Sequence, residues 1–440
     1  MESYYKFALG MKRVFSLNSL KKLLPCFLAT AVGWVWVLFT LKAQDAAAAA
    51  AATQLWMLPV VSMAAMVLSV AVGAEPLVVL FGIFLADVGI AVQLLLDANA
   101  AQSLKVGYLT GFVLAVVSGC AVHFISRRCK TVTIEAVSMT ASLLLFTAAM
   151  LSPAINGSHI AVKIMGHSAL VGQPMLLVAI AGIAAAVNDP DSPSPQRVLH
   201  VGVILAINSF FYLAMNELGS LMILIIAVAI MIFATEQIKI VDLFPAAALC
   251  GSAGFLMFKI VGLLGTKRPN SLLGKIWNKI NQRFAYVNVL SKLDSLTEQE
   301  KLGASYQPLQ GQKAILTSKW FGPSPYSISI PAKSSDYVTC WIANRLGLAA
   351  VLTVVVLVYI IFIYGLIFSS RSRGMVSAMG VACAAALAAG AVLNLLGATN
   401  IFPAVGVSFP LLSEGTMNVV ASSMMTGLIV LSTIKEREEC

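Results

Sequence analysis

The feature that most constrains this chain is its series of long apolar stretches without charge. The segment LGLAAVLTVVVLVYIIFIYG, residues 346–365, contains no charged side chain, and several other runs are similar. A helix needs about 20 apolar residues to cross a bilayer. The chain is 59% hydrophobic and 11% charged, whereas soluble domains carry about 25% charged residues. Because the runs are continuous rather than alternating, they predict an all-α polytopic membrane protein and exclude a membrane β-barrel.

The apolar runs predict about twelve spanning helices. They lie near residues 23–41, 55–73, 76–96, 106–125, 133–153, 175–187, 198–215, 218–235, 242–264, 337–368, 375–397 and 417–434. The first run is longer than a signal-peptide core of about 7–15 residues, so we expect it to be retained as a span. The tenth run is too long for one straight span and predicts a helix that is tilted or begins at the interface.

The basic residues predict the orientation. With a cytoplasmic N-terminus, the short external loops carry only Lys42, Lys105 and Lys163. The cytoplasmic side then receives Lys6, Lys12, Arg13, Lys21, Lys22, Arg127, Arg128, Lys130, Arg197, Lys239, Arg371, Arg373, Lys435 and Arg437. This asymmetry predicts a topology with both termini in the cytoplasm.

The long loop at residues 265–336 is predicted to lie outside the membrane although it is basic. It carries ten Lys/Arg against four acids, and loops longer than about 60 residues are exempt from the charge rule. The charge suits a solvated face on anionic lipid head groups or a surface that binds an anion such as pyrophosphate.

Motifs for other chemistries are not found in the sequence. The seven cysteines form no CxxC pair, and His159 and His167 have no further ligand nearby, so no metal site is expected. No nucleotide-binding loop or serine-nucleophile elbow occurs, and no nucleic-acid partner is expected. Asp87 lies near the centre of its predicted span, where an ionisable residue is a functional candidate or a polar contact between helices.

Four predicted external loops carry the unusual residues, and together they resemble one family. These segments are NGSHIAVKIMGHSALVGQP (156–174), NELGS (216–220), the basic loop, and NIFPAVGVSFPLLSEGT (400–416). Within them, Glu217-Leu218-Gly219-Ser220 resembles Pro-Asp-Leu-Gly-Thr, SYQPLQ (305–310) resembles Gly-Tyr-Gln-x-x-Gln, and IPAKSSDYV (330–338) resembles Pro-Glu-x-x-Thr-Asp-Phe-Ile. The pattern resembles the SEDS family (shape, elongation, division and sporulation) of the RodA/FtsW type.

The resemblance implies a peptidoglycan glycosyltransferase that polymerises lipid II on the outer face of the plasma membrane, for cell shape or division. It implies lipid II, membrane lipids and a class B penicillin-binding protein as partners. No cofactor is expected, and a role for a divalent cation is left open. The resemblance covers roughly residues 150–434, so we divide the chain into N-terminal helices at 1–150, which include an extra pair, and a core at 151–440.

The resemblance also implies the site residues. Asp336 matches the family's essential carboxylate and is expected to be the catalytic base, although the position before a helix also suits an N-cap. The predicted substrate-binding residues are Arg283, Lys319, Lys333, Glu217, Gln173, Pro403, Gly406, Pro410, Ser413 and Glu414.

Several family motifs are altered, and two alternative functions stay open. Met175-Leu176 replaces Ser-Glu, Asn344-Arg345 replaces a double glutamate, and Glu414 replaces a tyrosine. These changes favour a catalytically weakened scaffold. A transporter or flippase of lipid-linked precursors is the other alternative.

Overall fold

The computed structural model describes residues 17–153, 159–164, 167–303, 305–370 and 374–434. It confirms the predicted all-α membrane fold. The helices are α1 (Leu17–Gln44), α2 (Ala46–Thr53), α3 (Met57–Val72), α4 (Pro76–Leu96), α5 (Ala101–Arg128), α6 (Thr131–Leu151), α7 (Gly172–Val187), α8 (Ser194–Met215), α9 (Leu218–Thr235), α10 (Ile240–Lys267), α11 (Leu272–Ala285), α12 (Glu298–Leu302), α13 (Tyr306–Leu316), α14 (Val338–Leu346), α15 (Leu348–Ser369), α16 (Met375–Ala398) and α17 (Thr416–Ser432). Strands β1 (Ala161–Ile164) and β2 (His167–Leu170) pair antiparallel.

Every predicted apolar run is helical in the structure. Within the described residues, eight helices are long and apolar enough to cross a membrane, or nine if α2 and α3, bent by 53°, form one span. Helices α7 and α17 are apolar but shorter, and the side chains of α10 are described only in part. The figure of about twelve spans therefore stays a prediction.

The tenth apolar run is broken rather than tilted as one helix, which corrects the sequence interpretation. Helix α14 ends at Leu346, and Gly347 takes a positive φ of 101° before α15 begins. Residues 319 and 320 of the long loop lie against this break. The Leu348 amide donates to the Lys319 carbonyl (2.9 Å), and the Ala349 amide donates to the Trp320 carbonyl (3.0 Å). A Cβ at Gly347 would lie 2.6 Å from the Trp320 carbonyl oxygen. Glycine is thus required both by the backbone and by the approach of the loop.

The chain forms two compact units. The first falls within residues 1–128, 352–388 and 408–440, and the second within 129–351 and 389–407. This division differs from the predicted boundary at residue 150. The family match does not test that boundary, which stays a prediction.

In the first unit, α1 packs against α3 and α4. Their shared core is aliphatic and contains Val37, Leu41, Leu55, Ile90 and Leu94, each at most 2% exposed. Asp45 caps α2 by accepting from the Ala47 amide (2.8 Å), as expected of an aspartate in extended conformation before a helix. Asp45 thus lies at the junction where α1 ends and α2 begins.

In the second unit, α6 and α7 pack closely because small residues face each other. The Ser138 hydroxyl donates to the Val178 carbonyl (2.7 Å), and a Cβ at Gly182 would lie 2.8 Å from the Ser138 Cβ. Small polar residues allow such close approach between helices in a membrane.

The long basic loop is folded rather than extended. It contains α11, a 3₁₀ segment at Val289–Ser295, α12 and α13. Thr297 and Glu300 form a capping box at the start of α12, which satisfies two free amides at that helix end. The loop can therefore hold side chains in fixed positions.

Part of the predicted topology lies outside the described residues. This applies to Lys6, Lys12, Arg13, Arg371, Arg373, Lys435 and Arg437, and to the side chains of Lys22, Lys163 and His167. The cytoplasmic position of both termini stays a prediction.

Candidate active site

Asp336 lies on a turn immediately before α14, and it does not cap that helix. The N-cap residue is Tyr337, and no side chain forms a cap hydrogen bond there. Among the described residues, no hydrogen bond to the Asp336 carboxylate is found. The interpretation of Asp336 as an N-cap is therefore wrong. The side chain is half-buried, and its oxygens are not among the fully buried unsatisfied atoms, so a substrate hydroxyl can reach the carboxylate.

The backbone of Asp336 is fixed by Asn394, which is only 2% exposed near the end of α16. The Asn394 amide Nδ2 donates to the Asp336 carbonyl (3.0 Å) and to the Val407 carbonyl (2.7 Å). The Asn394 Oδ1 accepts from the Thr339 hydroxyl (3.3 Å). One buried side chain thus joins the turn at Asp336 to the segment that contains Gly406.

Tyr337 anchors the same turn from the other side. Its ring is 2% exposed and packs with Ala314, Cys340 and Ala398. A Cβ at Gly311 of α13 would lie 2.6 Å from the Tyr337 ring. The folded loop therefore packs directly on the residue next to the carboxylate and restricts its movement.

Arg283 lies in the last turn of α11, where a cation suits the helix dipole. Its Nη1 is buried and has no hydrogen-bond partner in the described part of the chain. A Cβ built on Gly406 would lie 3.9 Å from the Arg283 Nη2 and 3.8 Å from the Asp336 Oδ2. Arg283 and Asp336 therefore face one exposed, side-chain-free position, with a guanidinium able to donate to a ligand.

The segment after α11 is held by Asn400, which keeps Arg283 beside Gly406. The Asn288 amide donates to the Asn400 carbonyl (2.9 Å), and the Val289 amide donates to the Asn400 Oδ1 (2.8 Å). Phe284 contacts Phe402 edge to face, with the ring centroids 6.4 Å apart. These contacts link the arginine helix to the same 400–407 segment that Asn394 holds.

The charges of the site affect one another. Burial raises the pKa of the Asp336 carboxyl above its ordinary value, and the positive charge of Arg283 opposes this rise. Burial also lowers the pKa of the Arg283 guanidinium, and Glu217 and Asp336 counteract that effect. Arginine stays protonated in proteins, so Arg283 is a fixed cation near two carboxylates. A carboxyl with a raised pKa is a stronger base than an ordinary one once it is ionised.

Glu217 is held at the start of α9 by local contacts. The Ser220 hydroxyl donates to the Glu217 Oε1 (3.0 Å), and the Glu217 amide donates to the Tyr212 carbonyl (2.9 Å). The Tyr212 hydroxyl in turn donates to the Gly172 carbonyl (2.9 Å). Glu217 is thus placed near Gly172 and its neighbour Gln173, at the beginning of α7.

The comparison with protein families decides what kind of protein carries this site. The profile of the FtsW/RodA/SpoVE cell cycle proteins matches residues 77–438. The chain belongs to this family. This match confirms the SEDS resemblance that the loop motifs indicated. The members of this family are membrane proteins of cell-wall synthesis. Helices α1–α3 precede the matched range.

Solved structures of SEDS proteins share the fold. A peptidoglycan synthase complex that coordinates polymerisation and crosslinking contains a chain with 17% identity and a TM-score of 0.61, with 81% of this chain and 97% of that chain covered. The Thermus thermophilus rod shape determining protein RodA, as wild type and as a mutant, gives 15% identity and a TM-score of 0.54, with 81% of this chain and 96% of that chain covered. At these identities the likeness concerns the fold alone. A search of curated proteins found no significant match.

The structure brings together some of the residues predicted from the SEDS motifs. Asp336, Arg283, Glu217 and Gly406 belong to the cluster described above, and Pro403 is buried in the same 400–407 segment. Lys319 and Lys333 are exposed on the folded loop, away from any described ion pair. Their role in binding pyrophosphate stays a prediction.

The last three predicted residues, Pro410, Ser413 and Glu414, lie in the first unit. Pro410 is buried and Glu414 is exposed. The Ser413 hydroxyl accepts from the Phe409 amide (2.8 Å), and the Ser413 carbonyl accepts from the Asn418 amide Nδ2 (3.1 Å). These bonds give Ser413 a structural role in shaping its loop, and substrate contacts of all three residues stay predictions.

Asn394, Tyr337 and Asn400 were not identified from the sequence. Asn394 interrupts the apolar run 375–397, and a polar residue inside a predicted span is a signal that could have found it. Its partners are backbone carbonyls that no motif specifies. For a metal, the described residues contain no group of three His, Cys, Asp or Glu side chains placed to bind one.

Proposed function

We propose that this SEDS protein is a peptidoglycan glycosyltransferase that polymerises lipid II. The observation that carries the proposal is the position of the Asp336 carboxylate and the Arg283 guanidinium on either side of Gly406. Joining two lipid-linked sugars requires a base at the acceptor hydroxyl and a cation where charge develops on the departing pyrophosphate. The site offers one of each, on either side of the exposed Gly406.

In the proposed reaction, Asp336 accepts the proton of the acceptor hydroxyl. The oxygen then forms a bond to the anomeric carbon of the donor sugar as the bond from that carbon to the lipid pyrophosphate breaks. The pyrophosphate leaves with its electron pair as an anion. The Nη2 of Arg283, which faces Gly406, supplies a charge-assisted donor for that anion.

Glu217 has a supporting role in this proposal. While Asp336 is ionised, Arg283 faces two carboxylates, and Glu217 has the larger effect on its pKa. When Asp336 becomes protonated, Glu217 continues to balance the charge of Arg283. The cation thus stays in place for the leaving group throughout the step.

The remaining parts of the proposal follow from the family. The reaction would take place on the outer face of the plasma membrane, with Lys319 and Lys333 contacting pyrophosphate beyond the central cluster. A class B penicillin-binding protein is the proposed partner. This agrees with the structural neighbour, which belongs to a complex that coordinates polymerisation and crosslinking.

A catalytically weakened scaffold is the second candidate, and one observation favours it. Met175 and Leu176 stand where the family has Ser-Glu, and they are buried, at 0% and 1% exposed. These two apolar side chains do not replace the polar groups that the family has at this position. The scaffold would bind the partner without forming glycan.

One assay separates the candidates. Purified protein, with and without the candidate transpeptidase, is incubated with labelled lipid II, and glycan polymer is measured by electrophoresis. Polymer from the wild type that is lost in Asp336→Ala supports the glycosyltransferase. Wild-type protein that binds the transpeptidase but forms no polymer under either condition supports the scaffold, and movement of lipid II across vesicles without polymer supports a flippase.

A further inference from the structure

The first unit contains a cavity of about 300 Å³, within the range of small-molecule sites of ~300–1,000 Å³. Its walls come from α3, α4, α5 and the end of the chain at α17. The wall formed by α3 precedes the range that the family profile matches. The lining is almost entirely aliphatic or aromatic, with members such as Ile83, Ile90, Phe112, Val116 and Val430. An apolar chain therefore fits this space.

One carboxyl group interrupts the apolar lining. Asp87 borders the cavity and is 7% exposed, and its Oδ2 is buried without a hydrogen-bond partner among the described residues. Helix α1 covers this group closely: a Cβ at Gly33 would lie 3.4 Å from the Asp87 Oδ2 and 3.0 Å from the Phe84 ring. An ionisable residue within a span is costly and is usually retained for a role.

Three of the other polar groups of the cavity are satisfied by hydrogen bonds within the protein. The Tyr108 hydroxyl donates to the Leu411 carbonyl (2.9 Å). The Ser69 hydroxyl donates to the Met66 carbonyl (2.8 Å), and the Thr426 hydroxyl donates to the Ser422 carbonyl (2.9 Å). Of the described residues that line the cavity, only Asp87 has a buried side-chain oxygen without a hydrogen-bond partner, so this carboxyl group is the one that a ligand with a donor would satisfy. Buried polar atoms without partners are uncommon in native structures.

We propose that this cavity binds a single-chain lipid alcohol, with its chain along the apolar lining and its hydroxyl hydrogen-bonded to Asp87. A hydroxyl suits the site because it pairs with either protonation state of the carboxyl group and brings no charge into an apolar space. Entry is possible from one side, where Leu68 and Val72 are 42% and 41% exposed and Cys120 is exposed. The site is independent of the glycosyltransferase proposal.

Photolabelling of the full-length protein tests the proposal. The probe is dodecan-1-ol with a diazirine at the chain end, applied to purified protein, and the labelled peptides are identified by mass spectrometry. We expect labels on α3, α5 and α17. The methyl ether of the same probe lacks the donor and should label about tenfold less. Equal labelling by the ether, or stronger labelling by dodecylamine, would overturn the proposal.

Variants separate hydrogen bonding from folding. Asp87→Asn keeps a polar partner and should stay within a few-fold of wild type, whereas Asp87→Leu should label about tenfold less. Gly119 lines the cavity, and a Cβ there meets nothing within 4 Å, so Gly119→Phe should fill the space and abolish labelling. Gly202 on α8 also has open space around its Cβ but lies outside the lining. Gly202→Phe is thus the matched control, and loss of labelling in it would contradict the assigned site.

Discussion

Arg283 and Asp336 come from different parts of the long loop and face the same glycine. A Cβ on Gly406 would lie 3.9 Å from the arginine Nη2 and 3.8 Å from the aspartate Oδ2. No described ion pair within 4.0 Å joins Arg283 or Asp336 to another residue. Both groups are thus held near each other but stay available to a ligand, which is the arrangement that a base and an anion-binding cation require.

Replacing Gly406 tests whether this open position matters. Gly406 has a positive φ of 71° and Gly322 has one of 73°, and a Cβ at Gly322 meets nothing within 4 Å. Each change to Ala should cost ~1–2 kcal/mol of stability through the left-handed backbone. Only Gly406→Ala places a methyl group between the two charges, so it alone should lower the rate of lipid II polymerisation, by about tenfold or more. Equal rates in the two variants, measured with thermal stability, would show that the position is not part of the site.

Removing the Arg283 charge should change the pH dependence of the reaction. A protonated Asp336 cannot accept a proton, so activity falls as the pH drops through the pKa of this carboxyl. The charge of Arg283 lowers that pKa, so Arg283→Gln should raise it and move the acid limb of the kcat/KM profile to higher pH.

Lys319→Gln provides the control for this experiment, because Lys319 is exposed on the same loop. Its acid limb should stay at the wild-type pH, although its KM for lipid II rises. An acid limb that does not move in Arg283→Gln would exclude electrostatic contact between the arginine and the base.

Asn394 should act as a positioning residue. Asn394→Ala removes the bonds to the Asp336 and Val407 carbonyls and should cost ~1–3 kcal/mol of stability. A displaced base should also lower kcat on the order of 100-fold while KM changes little.

Thr399→Ala is the matched change near the same helix end. Within the described residues, the Thr399 hydroxyl bonds only to the carbonyls of Leu395 and Leu396, so its loss should leave kcat within about twofold. The assignment fails if both variants lose kcat equally.

The predicted topology can be tested by labelling intact cells. Ser295 lies exposed in the long loop, and Gln196 lies exposed in the first turn of α8, next to Arg197, which is predicted to be cytoplasmic. In a background in which the native cysteines are replaced by serine, a membrane-impermeant maleimide should label Ser295→Cys and not Gln196→Cys. The reverse pattern would place the candidate site in the cytoplasm, where lipid II polymerisation as proposed cannot occur.

The positions of the helices were predicted from the sequence more accurately than the breaks within them. Every apolar run is helical, as expected of long apolar segments in a bilayer, although the tenth run forms two helices. The break at Gly347 could not be predicted, since it depends on hydrogen bonds between the end of the long loop and α15. The same limit applies to the loop itself, whose fold depends on contacts such as those of Tyr337 with α13.

The candidate site was predictable where side-chain identity carries the signal. Asp336 and Arg283 were found because a carboxylate and a guanidinium stand out in motifs of the basic loop. The N-cap interpretation of Asp336 failed because α14 begins two residues later, at Val338. Asn394 was missed because its partners are backbone carbonyls, 58 and 13 residues away in the chain.

The rate of glycan formation by Asp336→Asn tests the central claim most directly. Purified wild type, Asp336→Asn and Asp294→Asn are compared with labelled lipid II at one pH, since Asp294 is an exposed acid of the same loop. We expect wild-type rates from Asp294→Asn and a loss of about 10²–10⁴-fold in Asp336→Asn, the usual contribution of a general base. Polymerisation by Asp336→Asn at the wild-type rate would contradict the assignment of Asp336 as the catalytic base.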